Sequence, residues 1–168
     1  MVPDDLKGLK IRVPKSPSRV TMFKAWGAAP TPMSFGEVFS ALQQGVIDGQ
    51  ENPFTDIYAG KLYEVQKYLS LTNHVYTPAY LITGKTYWEK LPADIQKIMA
   101  EAALEAQGFI WNLGAQMDKE LIVKLEKTMK VNQANVQAFQ KASKPIYERL
   151  SEEVGADFLK RAMEVIRQ

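Results

Sequence analysis

The feature that most constrains this fold is one helical pattern that runs from Pro92 to about Lys127. Apolar residues recur through it at spacings of three and four, and no proline interrupts them after the first residue. About 35 residues at ~1.5 Å each make a helix on the order of 50 Å long. Because a ~100-residue domain has a radius of gyration of only ~13 Å, such a helix must bridge two bodies, bend, or pair with another copy.

The composition excludes several classes of site. The 168 residues carry 21 Lys and Arg against 19 Asp and Glu, a net charge of +2, and no basic run stands out. Nucleic acid is therefore not an expected partner. The absence of Cys excludes disulfides and thiolate sites, and the single histidine, His74, excludes a His-based metal cluster.

Membrane and export signals are also absent from the sequence as given. No apolar window approaches the ~18 to 20 residues of a membrane span. The first residues, MVPDDLKG, have neither the basic start nor the apolar run of a signal peptide.

Ahead of the long helix, strand and helix patterns alternate, which predicts an open α/β sheet layered with helices. The predicted strands are residues 9–13, 28–33, 46–49, 68–74 and 79–83, with a further short strand at 130–132. The predicted helices begin at Ser16, Ser34, Asn52, Pro92 and Asn135, with a last one after Gly155. Ser34 and Glu37 have the spacing of a capping box.

Enzyme signatures are absent. There is no glycine-rich phosphate loop and no GxSxG motif. Asp48 and Glu51 lie three residues apart across a glycine turn, and two carboxylates could carry acid–base chemistry. Acids beside a helix start more commonly serve capping and dipole roles. The sequence predicts no catalytic residue, no metal site and no cofactor.

Three residues have the character of a binding site. Arg12 ends the first strand, and Phe35 and Asn52 each begin a helix. In open α/β sheets, ligands bind beyond the carboxyl ends of strands, near helix N-termini. An arginine can hold a carboxylate through two parallel hydrogen bonds, a phenyl ring can cover a carbon skeleton, and an amide can complement a carboxylate or hydroxyl. The pattern predicts a receptor for a small organic acid, although Arg12 could equally be a solvated strand residue and Asn52 a helix cap.

Several segments also resemble a known family. LKGLKIRVP at residues 6–14, KAWGAAPTPMSFGEVFSALQQGVIDGQENP at 24–53 and YEVQKYLSLTNH at 63–74 are similar to the solute-binding proteins of tripartite ATP-independent periplasmic (TRAP) transporters, of the dicarboxylate-receptor type. The similarity continues through LPADIQKIMAEAA and the long helix, so it covers nearly the whole chain. The most specific part is GQENP after the ALQ-G-DG segment.

The resemblance implies a periplasmic receptor with a periplasmic binding protein-like open mixed sheet flanked by helices. Two lobes would close over an organic acid and be tied together by the long inter-lobe helix. The carboxylate-binding arginine of the family falls on Arg12, its ligand-packing aromatic on Phe35, and its polar contact on Asn52. The receptor would deliver its ligand to the membrane subunits of a transporter driven by a sodium gradient.

Members of this family are much longer than this chain and begin with a signal peptide. The resemblance therefore implies that residues 4–84 and 130–168 form the second, ligand-binding lobe. Residues 85–129 would connect to a first lobe that is largely missing. With half the ligand shell absent, we expect weak or no ligand binding by this chain alone.

The exposed helix leaves a second reading open. Its apolar stripe would normally meet the absent lobe, so we expect the chain to form a homo-oligomer through it. The alternative function is thus a self-associating assembly module with a vestigial pocket.

Overall fold

A computed structural model describes residues 1–166, apart from the side chains of Glu148, Glu153 and Ile166; Arg167 and Gln168, which end the predicted lobe 130–168, lie outside the described residues. The strands are β1 (Lys10–Val13), β2 (Ala29–Pro32), β3 (Gly49–Gln50), β4 (Tyr68–Leu71) and β5 (Lys130–Gln133). The helices are α1 (Pro17–Ala25), α2 (Val38–Gln43), α3 (Phe54–Ala59), α4 (Lys85–Trp88), α5 (Ala93–Leu125), α6 (Val136–Ala142), α7 (Lys144–Val154) and α8 (Ala156–Ile166).

The strands form two sheets in which every described pairing is parallel. The first has the order β2-β1-β3, and Arg12 in its central strand pairs with Thr31 on one side and Gln50 on the other. The second consists of β4 and β5. Parallel neighbours need crossover connections, which α1, α2 and α5 supply. The predicted α/β class with one long helix is confirmed. The prediction of a single mixed sheet is wrong, because the described strands form two parallel sheets.

The predicted strand at residues 79–83 is wrong. This segment has the β-branched and aromatic composition of a strand, but no described residue pairs with it. Leu81 and Ile82 are 84% and 86% exposed. Strand propensity reflects packing on a half-buried sheet, so composition without a neighbouring strand does not produce one.

Two other predicted strands are shifted or shortened. The segment predicted at 46–49 forms a strand only at Gly49–Gln50, because the amide of Val46 closes α2 by donating to the Ala41 carbonyl oxygen at 2.9 Å. The strand predicted at 68–74 ends at Leu71, and Asn73 adopts a left-handed conformation with φ 46°. Such a residue turns the chain out of a sheet.

Two apolar cores hold the sheets and helices together. One packs α2, α3 and β4 against the C-terminal end of α5, with Val38, Ile57 and Leu125 at its centre. The other lies between β1, α1 and α6 and contains Phe23, Trp26 and Phe139. Packed side chains therefore cover one side of the three-stranded sheet. This packing holds in place the strand ends at which the candidate site lies.

Within the described part of the chain, the long helix has buried residues only near its C-terminal end. Leu121 and Leu125 near its C-terminus are buried. Its apolar residues further upstream are exposed, among them Ile98, Leu104, Phe109, Ile110 and Trp111. Among residues 1–166, no helix is long and apolar enough to span a membrane.

Candidate ligand-binding site

Arg12 is a buried charge at the end of the central strand. It is 4% exposed, and its Nε and Nη2 atoms both donate to the carbonyl oxygen of Met33, at 3.1 and 2.9 Å. Met33 directly follows β2, so the sheet itself fixes the plane of the guanidinium group. Burial lowers the pKa of Arg12, and the carboxylates of Glu51 and Asp56 act in the opposite direction. An arginine keeps its charge in a protein, so the site holds a fixed cation.

One end of this guanidinium group is available to a ligand. The described hydrogen bonds of Arg12 use Nε and Nη2 and leave Nη1 without a partner in the described residues. In the described part of the chain, the only fully buried side-chain polar atom without a hydrogen-bond partner is Oδ1 of Asn132. Nη1 of Arg12 also lacks a described partner but is not in that class, so it is not fully enclosed, although Arg12 as a whole is 4% exposed. An N–H group of a guanidinium can donate to a carboxylate.

Phe35 lies beside this cation. Its ring centroid is 5.9 Å from Cζ of Arg12, within the range of a cation–π contact. The ring begins a short 3₁₀ turn (Phe35–Glu37) that Glu37 fastens by accepting from the Ser34 amide at 2.9 Å. Gly60 allows the ring its position, because a Cβ there would lie 3.0 Å from Cζ of Phe35. Phe35 is 41% exposed, so part of it remains in contact with solvent.

Asn52 follows β3 and is half-buried. Its Nδ2 atom donates to Oε1 of Gln50 at 2.6 Å. The N-cap of α3 is Pro53, so the reading of Asn52 as a helix cap is wrong. Pro53 has an extended backbone, and α3 has no side-chain cap hydrogen bond. The structure thus gathers Arg12, Phe35 and Asn52 at the end of one sheet, while their roles in binding remain predictions.

The two carboxylates near this turn are occupied by structural contacts. Asp48 accepts from the Lys10 amide at 2.8 Å. Glu51 lies 3.4 Å from Nε of Arg19 and 3.2 Å from Nε2 of His74. These contacts fasten the turn before α3 to α1 and to the loop after β4. Sequence reasoning singled out both acids but not these partners.

Residue Gln50 was also missed from the sequence. It pairs with Arg12 across the β1–β3 ladder and bonds to Asn52, so it joins the two predicted ligand contacts. The available signal was the spacing of two between Gln50 and Asn52, which places side chains on the same side of an extended segment.

Residues 1–153 match the family model described as bacterial extracellular solute-binding protein, family 7 (DctP). The chain belongs to this family. Family 7 proteins bind solutes and are not enzymes. The chain is 35% identical to the C4-dicarboxylate-binding periplasmic protein DctP of Vibrio cholerae, over 97% of this chain and 50% of that protein.

Solved structures of TRAP periplasmic solute-binding proteins show the same fold. One from Roseobacter denitrificans with bound L-galactonate is 41% identical, with a TM-score of 0.85 over 94% of this chain and 54% of that chain. One from a Polaromonas species with bound D-erythronate is 37% identical, with a TM-score of 0.89 over 96% and 54%. The chain thus spans about half the length of these relatives.

Proposed function

We propose that this chain captures a small organic acid by its carboxylate and belongs to a periplasmic receptor that delivers the acid to the membrane subunits of a TRAP transporter. The observation that carries the proposal is the buried Arg12, whose Nε and Nη2 both donate to the Met33 carbonyl oxygen while Nη1 has no described partner. Phe35 would cover the carbon skeleton of the acid. Asn52 would supply a polar contact from the GQENP turn.

The relatives support a carboxylate as the feature that is recognised. Their bound ligands include L-galactonate, D-erythronate and, in a structure from Shewanella oneidensis, succinate. These acids differ in length and hydroxylation but share a carboxylate. A fixed cation whose Nη1 has no described partner suits that common group.

We also propose the division of the chain inferred from its sequence. Residues 4–84 and 130–168 would form the ligand-binding lobe, and 85–129 a connecting region. In support, the candidate site lies entirely within the first of these ranges, while most of α5 is exposed. The 41% exposure of Phe35 is consistent with a site that is open on one side, where water would compete with a ligand.

A titration followed by nuclear magnetic resonance tests the site directly. We expect millimolar L-galactonate or succinate to shift the Nε–H resonance of Arg12 and the side-chain amide of Asn52. Galactitol, which lacks the carboxylate, is the matched control and should shift neither. No response at Arg12 with tens of millimolar acid would overturn the proposed site, and micromolar affinity by calorimetry would overturn the expectation of weak binding.

A second candidate, self-association, is favoured by one observation. The apolar residues of the segment 75–83 and of α5 are exposed together, and Tyr76 contacts Trp111 with ring centroids 6.5 Å apart. Contiguous apolar surface of this kind promotes association. We expect oligomers in sedimentation velocity at tens of micromolar.

The substitution Ile82→Lys should shift this distribution towards the monomer, because it places a charge within the exposed apolar surface. Lys97→Ala, on an exposed and charged position of α5, is the control and should leave the distribution unchanged. A monomer for the unmodified chain would contradict self-association.

A further inference from the structure

We propose that Gln50 is a positioning residue of the ligand site, which holds the amide of Asn52 in one orientation so that it faces the same space as Arg12. This inference rests on the proposed function. It assigns a role to a side chain that does not itself need to touch the ligand.

The backbone places Gln50 next to Arg12. The two are paired across the parallel β1–β3 ladder, so their side chains project from the same face of the sheet. β1 and β3 also approach closely at Gly49, where an added Cβ would lie only 3.0 Å from Cδ1 of Ile11. The position of Gln50 relative to Arg12 is therefore set by main-chain contacts.

The hydrogen bond to Asn52 is short and partly shielded. Oε1 of Gln50 accepts from Nδ2 of Asn52 at 2.6 Å, and both residues are half-buried. The terminal torsion of an asparagine is broad, so a free amide samples many orientations. A bond to Nδ2 selects one of them. It leaves Oδ1 and the second N–H of Asn52 available to a ligand.

The turn between the two residues is held by other contacts. Glu51 is fastened by Arg19 and His74, so the main chain from Gln50 to Asn52 does not depend on the Gln50 amide. Removing that amide should release the Asn52 side chain while the turn stays in place. A loss of binding with the turn intact would therefore indicate that Gln50 positions Asn52 and does not merely stabilise the turn.

A double-mutant cycle tests the inference on the 168-residue chain, with L-galactonate as the probe in the same titration. Gln50→Met keeps the side-chain length and removes the acceptor. We expect it to weaken binding ~3- to 10-fold, the cost of ordering one freed side chain. In the Asn52→Ala background the same substitution should have no effect, because the group it acts through is gone. Equal losses in both backgrounds would overturn the inference and indicate direct contact of Gln50 with the ligand.

A spectroscopic readout without ligand makes the test independent of binding. The bonded N–H of Asn52 should resonate apart from its partner proton and exchange slowly. Gln50→Met and Gln50→Ala should both abolish this signature, and Gln50→Glu, which keeps an acceptor oxygen, should preserve it. Persistence of the signature in Gln50→Met or Gln50→Ala would overturn the inference. If the signature is present but no carboxylate shifts Arg12, it is the proposed function that fails.

Discussion

Replacing Arg12 by lysine is expected to weaken the binding of small carboxylates ~10- to 100-fold. Hydrogen bonds to charged groups contribute ~1.5 to 3 kcal/mol, and each ~1.4 kcal/mol corresponds to a factor of ten in affinity. A lysine keeps the charge but has no planar pair of N–H groups. It also cannot reproduce the two bonds from Nε and Nη2 to the Met33 carbonyl, so the cation loses its fixed direction.

The resonance titration with L-galactonate measures this loss, and thermal unfolding shows whether each variant is folded. Arg161→Lys on α8 is the matched control, since Arg161 is exposed and the substitution is chemically identical. We expect it to bind like the unmodified chain. An affinity for Arg12→Lys within twofold of the unmodified chain would contradict a carboxylate contact at Arg12.

The largest effect on stability is expected for Leu125→Ala. Leu125 is fully buried, and it packs the end of α5 into the core that also contains Val38 and Ile57. Truncating a buried leucine costs about 2 to 5 kcal/mol, from lost burial and from the cavity that remains. We expect ~3 kcal/mol, because the site is enclosed by several elements and cannot easily collapse.

Urea unfolding at equilibrium measures this change in the free energy of unfolding. Leu104→Ala on the same helix is the control, because Leu104 is 69% exposed and has little packing to lose. Its cost should stay below ~0.5 kcal/mol. Similar losses for the two variants would contradict the finding that α5 is anchored only near its C-terminus.

Local patterns were enough to predict the long helix and several helix ends. The apolar spacing of α5 is a property of the helix itself, and Asn135 accepts from the Ala138 amide as a capping residue should. Of the predicted Ser34–Glu37 capping box, the bond from the Ser34 amide to the Glu37 carboxylate forms. These features depend on residues close in sequence, so the sequence displays them without knowledge of the fold.

Features that depend on a distant neighbour could not be predicted in this way. The strand composition of residues 79–83 was clear, but a strand needs a partner and none of the described residues supplies one. The role of Gln50 depends on the register of β3 against β1, which joins residues 38 positions apart. Asn52 was singled out from the sequence as a candidate and remains a prediction, and its side-chain partner Gln50 depended on the same register.

Because α5 is buried near its C-terminal end, a small rotation there displaces its far end by a larger distance. Its 33 residues extend ~50 Å from the buried Leu125, so a rotation of only ~5° at that anchor would sweep the far end through ~4 Å. A small repacking around Val38 and Ile57 would therefore be amplified along the helix. The core around α2 and α3 is the centre of this rotation, and for a given rotation the displacement of the far end grows in proportion to the length of the helix.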